Sequence, residues 1–205
     1  MGVIASAFYG NPSHELKVVG VTGTNGKTTV TYMLKAILEA AGKKVGLIGT
    51  IKNLCGDREI PSINTTPNAY YLHGLFSEMV KEGCEYVVME VSSHALYLDR
   101  VYGVPYAVGI FTNLTQDHLD FHETMEAYCD AKAILFRNCG VGVCNADDPW
   151  TERLLADSTC RKFFYAEKAE ADLRAEEIVL ESDYVSFTAV TETERVPVRV
   201  NIPGG

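Results

Sequence analysis

The chain has 205 residues, 47% of them hydrophobic, with a formal net charge of −9 and an isoelectric point near 5.0. That length and apolar content suit one large domain with a single substantial core, and the acidic balance argues against a polyanion-coating surface, so nucleic acid is not an expected partner. No apolar run approaches bilayer-spanning length, and no secretory signal or zinc-like spacing accompanies the cysteines at 55, 84, 129, 139, 144 and 160, so a soluble cytoplasmic protein with reduced thiols and no membrane partner is expected.

The first strand, 17–22, runs into Val21-Thr-Gly-Thr-Asn-Gly-Lys-Thr-Thr29 and then a helix over 28–41. A glycine-rich turn between strand and helix aims backbone N–H groups at phosphate oxygens. Lys27 adds a point charge and the Thr28 hydroxyl can ligate Mg²⁺. The strict spacing G-x-x-x-x-G-K-[ST] would place a glycine at Val21, so this is a variant cradle with glycines at 20, 23 and 26. A strand over 45–50 follows. Ile63-Asn-Thr-Thr-Pro-Asn68 precedes a helix over 68–82, with Pro67 in its first turn; the cluster is either a simple helix cap or part of a site.

A strand over 85–91 carries Glu90 straight into Val91-Ser-Ser-His94. A carboxylate at that strand end, beside a phosphate loop, is placed to hold Mg²⁺ directly or through water, or else is a hydrogen-bonded strand-end acid. The next strand, 106–112, opens onto a segment with Asp117, His118, Asp120 and His122 within six residues, a density suited to metal and phosphate. His118, between two acids, is the better functional candidate; His14 and His73 read as satisfied hydrogen-bonders. In the helix over 124–137, periodicity makes Lys132 an ordinary solvated lysine. Asn145-Ala-Asp-Asp-Pro149 joins a strand, 141–145, to a helix, 148–156, and reads first as a helix cap.

With a further strand at 162–165, this alternation predicts an α/β fold: a doubly wound, mostly parallel sheet, whose ligands bind beyond the carboxyl ends of its strands. From about residue 171 the pattern turns β-like (Glu177-Ile-Val-Leu, Tyr184-Val-Ser-Phe, Val196-Pro-Val-Arg), predicting a small antiparallel appendage. The ending Ile202-Pro-Gly-Gly205 reads as a boundary to another domain.

Together, Gly23-Thr-Asn-Gly-Lys-Thr-Thr29, Asn64-Thr-Thr-Pro67, Glu90-Val-Ser-Ser-His94, Thr112-Asn-Leu-Thr-Gln-Asp-His118, Asp130-Ala-Lys132 and Asn145-Ala-Asp-Asp148 resemble, in order and spacing, the Mur ligases of peptidoglycan synthesis. Their forms of Thr-Thr-Pro and Glu-Val-Ser-Ser-His are those of the members that add the third peptide residue to UDP-N-acetylmuramoyl-L-alanyl-D-glutamate. The resemblance implies that Gly23, Thr24, Asn25, Gly26, Lys27, Thr28 and Thr29 hold ATP phosphates, with Thr28 and Glu90 on Mg²⁺, His118 on a second metal and Lys132 carboxylated by CO₂ to help position metal. It implies Asn145 and Asp148 toward adenine and ribose, and Asn64, Thr65, Thr66, Ser92 and Arg100 on the muramoyl-peptide substrate. The family commonly has Gln where this chain has Leu98, which removes one polar substrate contact.

The implied chemistry is amide formation through an acyl phosphate. The likeness covers only the family's central ATP-binding domain, 17–205, with 1–16 as residual linker; the N-terminal uridine-binding and C-terminal amino-acid-selecting domains are missing, so the isolated chain is expected to lack ligase turnover. Two alternatives stand beside this: a related ligase such as folylpolyglutamate synthetase, and a non-catalytic nucleotide-binding module.

Overall fold

The structure, a computed structural model, describes residues 1–202. Eleven strands form one sheet: β1 Lys17–Thr22, β2 Val45–Ile48, β3 Lys52–Cys55, β4 Arg58–Pro61, β5 Tyr86–Glu90, β6 Tyr106–Phe111, β7 Cys139–Asn145, β8 Arg161–Ala166, β9 Leu173–Leu180, β10 Val185–Val190 and β11 Arg195–Val200. Their order is β11-β10-β9-β8-β7-β6-β1-β5-β2-β3-β4. The pairs from β2 through β5, β1, β6, β7 and β8 to β9 are all parallel. The described helices are α1 Gly2–Phe8, α2 Lys27–Ala40, α3 Ala69–Lys81, α4 Ser93–Tyr97, α5 Leu119–His122, α6 Met125–Arg137 and α7 Thr151–Leu154.

Strands buried on both faces read as continuous apolar runs, and β1 shows why the sheet is doubly wound. Val18 packs with Leu72, Phe76, Leu135 and Phe136 from α3 and α6. Its neighbours Val19 and Val21 face the other way, onto Val30, Leu34 and Leu38 of α2. After β1 the chain builds β2 to β5 on one side and then crosses to β6 on the other, so strand order reverses at β1, and the crevice at its carboxyl end is where such folds bind ligands.

The antiparallel segment expected near the C-terminus is present: β9 pairs in parallel with β8, and β10 and β11 then continue the same sheet antiparallel. Other expectations change. The hairpin β3–β4, turning at Gly56 with φ +59°, lies where no strands were anticipated. Residues 2–8, in the stretch read as linker, form a helix whose end stacks Phe8 and Tyr9 on Tyr70 of α3. Pro67 precedes the helix, whose cap is Asn68, accepting from Tyr71 N at 3.0 Å. Helix α7 begins after Pro149 rather than around it. His73 is no satisfied hydrogen-bonder: it is fully buried and neither ring nitrogen has a partner. The ending after Ile202 lies outside the described residues.

Both outer strands carry a proline. Pro61 closes β4 opposite Lys52, and Pro197 sits in β11 opposite Thr188, between Arg195 and Arg199. All six cysteines are free; Cys55, Cys84, Cys129 and Cys144 are buried, and burial pushes the Cys129 thiol up to about 11.

Candidate nucleotide and metal site

The loop after β1 is shaped by two close approaches. Gly23 has φ +151°, and a Cβ there would overlap the Thr112 hydroxyl and come 3.1 Å from both N and O of Asn113, so only glycine fits against the loop after β6. That loop is laced to the first: Thr24 N donates to Asn113 O at 2.8 Å, Asn25 N to Asn113 Oδ1 at 3.0 Å, and Thr112 Oγ1 to Asn25 O at 2.7 Å. Gly20, grouped with the cradle by spacing, instead lies within β1, where a Cβ would meet the Tyr106 ring at 2.8 Å; it has no part in the loop.

Helix α2 starts at Gly26, in the left-handed region at φ +84°, without a side-chain cap. Helices α3, α4 and α6 are capped by Asn68, Ser92 and Thr124. The first amides of α2, at the positive end of a helix fourteen residues long, therefore have no side-chain acceptor and are free to receive one from a ligand. Lys27 Nζ is held over the same turn by the carbonyls of Gly23 and Thr24, both at 2.8 Å. Burial lowers its pKa, opposed by the charges of Glu90 and Asp117. The geometry and charge fit the phosphates of a nucleotide.

Glu90 is buried at the end of β5, its carboxylate beside Thr28. Oε1 accepts from Thr28 Oγ1 and from Thr50 N, both at 2.9 Å, and Oε2 from Thr50 Oγ1 at 3.0 Å. A carboxylate has about four lone-pair positions, so three are taken and one is left. The Thr28 hydroxyl, donating inward, turns its own lone pairs outward. An oxygen-only donor set of this kind fits Mg²⁺. Gly49 permits the packing, since a Cβ there would collide with Oε1. Thr50 was not singled out from sequence, although it follows strand β2 as the other site residues follow theirs.

Lys132, read by periodicity as solvated, is almost fully buried. Its Nζ donates to Gly23 O at 3.0 Å and lies 4.5 Å from the centre of the Tyr128 ring. Thus Lys27 and Lys132 converge on one carbonyl. Burial, then repulsion from Lys27, holds the Lys132 amine well below the ordinary lysine range.

His118 has a left-handed backbone at φ 52° and starts α5; its Nε2 is 3.6 Å from Asp117 Oδ2 and its ring packs edge-on to His94 at 4.9 Å. His122 is buried and shares a 2.9 Å hydrogen bond with Ser93 Oγ, its pKa lowered by burial and then by His94. No hydrogen bond joins His118 to Glu90, and among the described residues no group of three or more His, Cys, Asp or Glu is arranged to hold a metal. Any metal here would thus draw on the one free position of Glu90, on hydroxyls and on ligand oxygens.

Thr66 Oγ1 donates to Glu90 O at 2.9 Å and accepts from Ser92 N at 3.0 Å; Arg100 Nη1 reaches Thr66 O at 3.5 Å, leaving most of its guanidinium free. Thr65 Oγ1 lies 3.0 Å from Thr50 Oγ1, while Asn64 is exposed. Leu98 is exposed beside Arg100, on an apolar cavity of about 490 Å³ that Met1, Ile4 and Phe8 help line.

Asn145 and Asp148 are committed to structure. Asn145 Nδ2 donates to Thr112 O at 3.1 Å, and Asp148 accepts from Leu114 N at 2.7 Å and Trp150 N at 2.9 Å. They pin the end of β7 to that of β6, next to an open cavity of about 570 Å³ lined by Asp148, Pro149, Lys162 and Phe164.

A phosphate loop at the switch point of a parallel sheet, with a buried strand-end carboxylate on its helix hydroxyl, defines a P-loop nucleotide-binding domain. The chain belongs to the family of the Mur ligase middle domain, which it matches over residues 21–205. It is 53% identical over 204 residues to UDP-N-acetylmuramoyl-L-alanyl-D-glutamate–2,6-diaminopimelate ligase 1 of Clostridium acetobutylicum, and 48% identical over 205 to the corresponding ligase of Caldanaerobacter subterraneus. All of this chain is covered in both cases, and it spans 42% of the length of those relatives.

Among solved structures, a UDP-N-acetylmuramoyl-L-alanyl-D-glutamate–2,6-diaminopimelate ligase matches with a TM-score of 0.79 at 27% identity, covering 89% of this chain and 39% of that one. MurF from Acinetobacter baumannii shares the fold at a TM-score of 0.78 and 22% identity, covering 98% and 42%. A folylpolyglutamate synthetase (FPGS–AMPPCP complex) shares it at 0.72 and 18%, covering 98% and 57%.

Proposed function

We propose that this chain is the ATP-binding centre, residues 17–205, of a cytoplasmic ligase that joins 2,6-diaminopimelate to UDP-N-acetylmuramoyl-L-alanyl-D-glutamate in peptidoglycan synthesis. The observation that carries the reading is the uncapped start of α2, with Lys27 over the turn and Glu90 on the Thr28 hydroxyl. The relatives' names supply the substrates, and motif identity supports their transfer to this chain.

In this reading the turn Gly23–Thr29 and Lys27 bind the ATP phosphates and orient the leaving ADP. Glu90 and Thr28 hold Mg²⁺, which supplies charge neutralisation for phosphoryl transfer. His118 would serve as a ligand of a second metal. Arg100, with Asn64, Thr65, Thr66 and Ser92, presents the muramoyl peptide, its free guanidinium donors suited to a carboxylate. That carboxylate attacks the γ-phosphate to give an acyl phosphate, and the incoming amine displaces phosphate. Lys132, whose lowered pKa favours the neutral amine, is suited to add CO₂ and become a carbamate. The cavity beside Asp148 offers room for the base and ribose.

Calorimetric titration of the chain with ATP and Mg²⁺ tests this: saturable binding is expected, and its loss in Lys27→Ala. Equal binding by the mutant would remove the phosphate role from the loop.

A further inference from the structure

We infer that Thr50 is a positioning residue: it fixes the Glu90 carboxylate for a divalent cation and, through a proton-ordered chain of hydroxyls, ties that carboxylate to Thr65 on the acceptor side of the site. The inference rests on the nucleotide and metal reading above and extends it to a residue with no role in that reading.

Three contacts carry it. Thr50 N and Thr50 Oγ1 grip the two oxygens of Glu90 at 2.9 and 3.0 Å, one from the backbone and one from the side chain. Thr65 Oγ1 stands 3.0 Å from the same Thr50 hydroxyl. A carboxylate only accepts, and a threonine hydroxyl has one proton. The Thr50 proton is therefore committed to Glu90, and in the pair of threonines Thr65 must be the donor.

The chain runs one way, from Thr65 O–H to Thr50 O–H to Glu90. Each link polarises the next, so the last hydrogen bond, the one that holds the metal carboxylate, is strengthened by the first. The ordering also sets what Thr65 offers to a ligand. With its proton directed inward it presents lone pairs alone, so the group it selects is an N–H or O–H donor, such as a peptide amide or a sugar hydroxyl, rather than a phosphate or carboxylate oxygen. Thr50 is exposed, so its removal opens no cavity, and valine keeps its shape and the backbone donor while deleting only the hydroxyl.

The test is calorimetry of ATP binding to the 205-residue chain, with Mg²⁺ and with EDTA. Wild type is compared with Thr50→Val, Thr50→Ser, Thr65→Val, the Thr50→Val/Thr65→Val double variant, and Glu90→Gln. Loss of a charge-assisted hydrogen bond predicts about a tenfold weaker affinity for Thr50→Val with Mg²⁺ and none without it, with recovery by Thr50→Ser. Thr65→Val weakens Mg²⁺-dependent affinity in the wild-type background and has no further effect once Thr50 is valine.

If Thr50→Val matches wild type while Glu90→Gln loses the Mg²⁺ dependence, the positioning role is wrong and the metal reading stands. If Thr65→Val costs the same in both backgrounds, the hydroxyl chain is wrong. If Glu90→Gln changes nothing, or wild type binds no nucleotide, the metal reading and this inference fall together.

Discussion

Gly23→Ala is the sharpest perturbation of the cradle, because its cost divides into two parts that can be measured separately. The first is backbone strain: φ +151° is a conformation that residues with a Cβ rarely adopt, worth about 1–3 kcal/mol. The second is steric, since the new carbon overlaps the Thr112 hydroxyl and crowds Asn113 N and O at 3.1 Å, an overpacking cost of about 1–3 kcal/mol. Together they predict a loss of about 2–6 kcal/mol, or about 4–24 °C in the unfolding midpoint for a domain of this size.

Thr112→Ala removes the atom in the way while sacrificing its own 2.7 Å bond to Asn25 O. In that background the overlap with the hydroxyl is gone and only the strain and the 3.1 Å contacts with Asn113 remain, so Gly23→Ala should cost measurably less there. Urea unfolding of the four proteins measures both values, and ATP calorimetry reports whether the turn still binds. An equal cost in the two backgrounds would refute the close approach as the reason for glycine; no cost in either would refute the geometry of the loop.

Two further outcomes follow from buried groups. His73 is pushed below its ordinary 6.5 by burial and then by the charge of His14. Below pH 6.5 the unfolded chain binds a proton that the folded one refuses, so stability present above 6.5 is lost as the pH falls toward the folded value. His73→Leu should flatten that acid slope and raise stability near pH 7.5 by about 1 kcal/mol, because two unpartnered nitrogens are replaced by apolar surface. Urea unfolding at pH 5 and 7.5 decides it, an unchanged slope counting against the assignment. For Lys132, ¹³C-labelled bicarbonate should give a carbamate carbon resonance in the wild type and none in Lys132→Met; a spectrum without the signal removes the carboxylation.

The glycine-rich turn after β1 and the strand-end acid Glu90 were legible as features because their strands are buried on both faces. Val18 to Val21 and Val87 to Met89 are unbroken apolar runs whose ends can only be where polar residues begin. Lys132 was not legible, because a helix lysine is read as solvated from its residue type, whereas its position falls on the face buried with Tyr128, Cys129, Leu135 and Phe136, opposite the exposed Glu126, Asp130 and Arg137. The hairpin β3–β4 escaped because its strands have four residues each and β4 is largely exposed, so neither length nor alternation marks them. Asn145 and Asp148 were read as a helix cap; besides local bonds such as Trp150 N to Asp148, their side chains reach across to the loop after β6, a tertiary contact that local sequence does not encode.

The two outer strands bear on how the protein behaves at high concentration. An open sheet offers unpaired amides and carbonyls at both borders, and those borders can recruit further chains into intermolecular β-structure. Here each border is interrupted by a residue that has no N–H to give, Pro61 on one side and Pro197 on the other, with arginines flanking the second. Eleven strands can therefore lie side by side without the sheet extending itself into an aggregate.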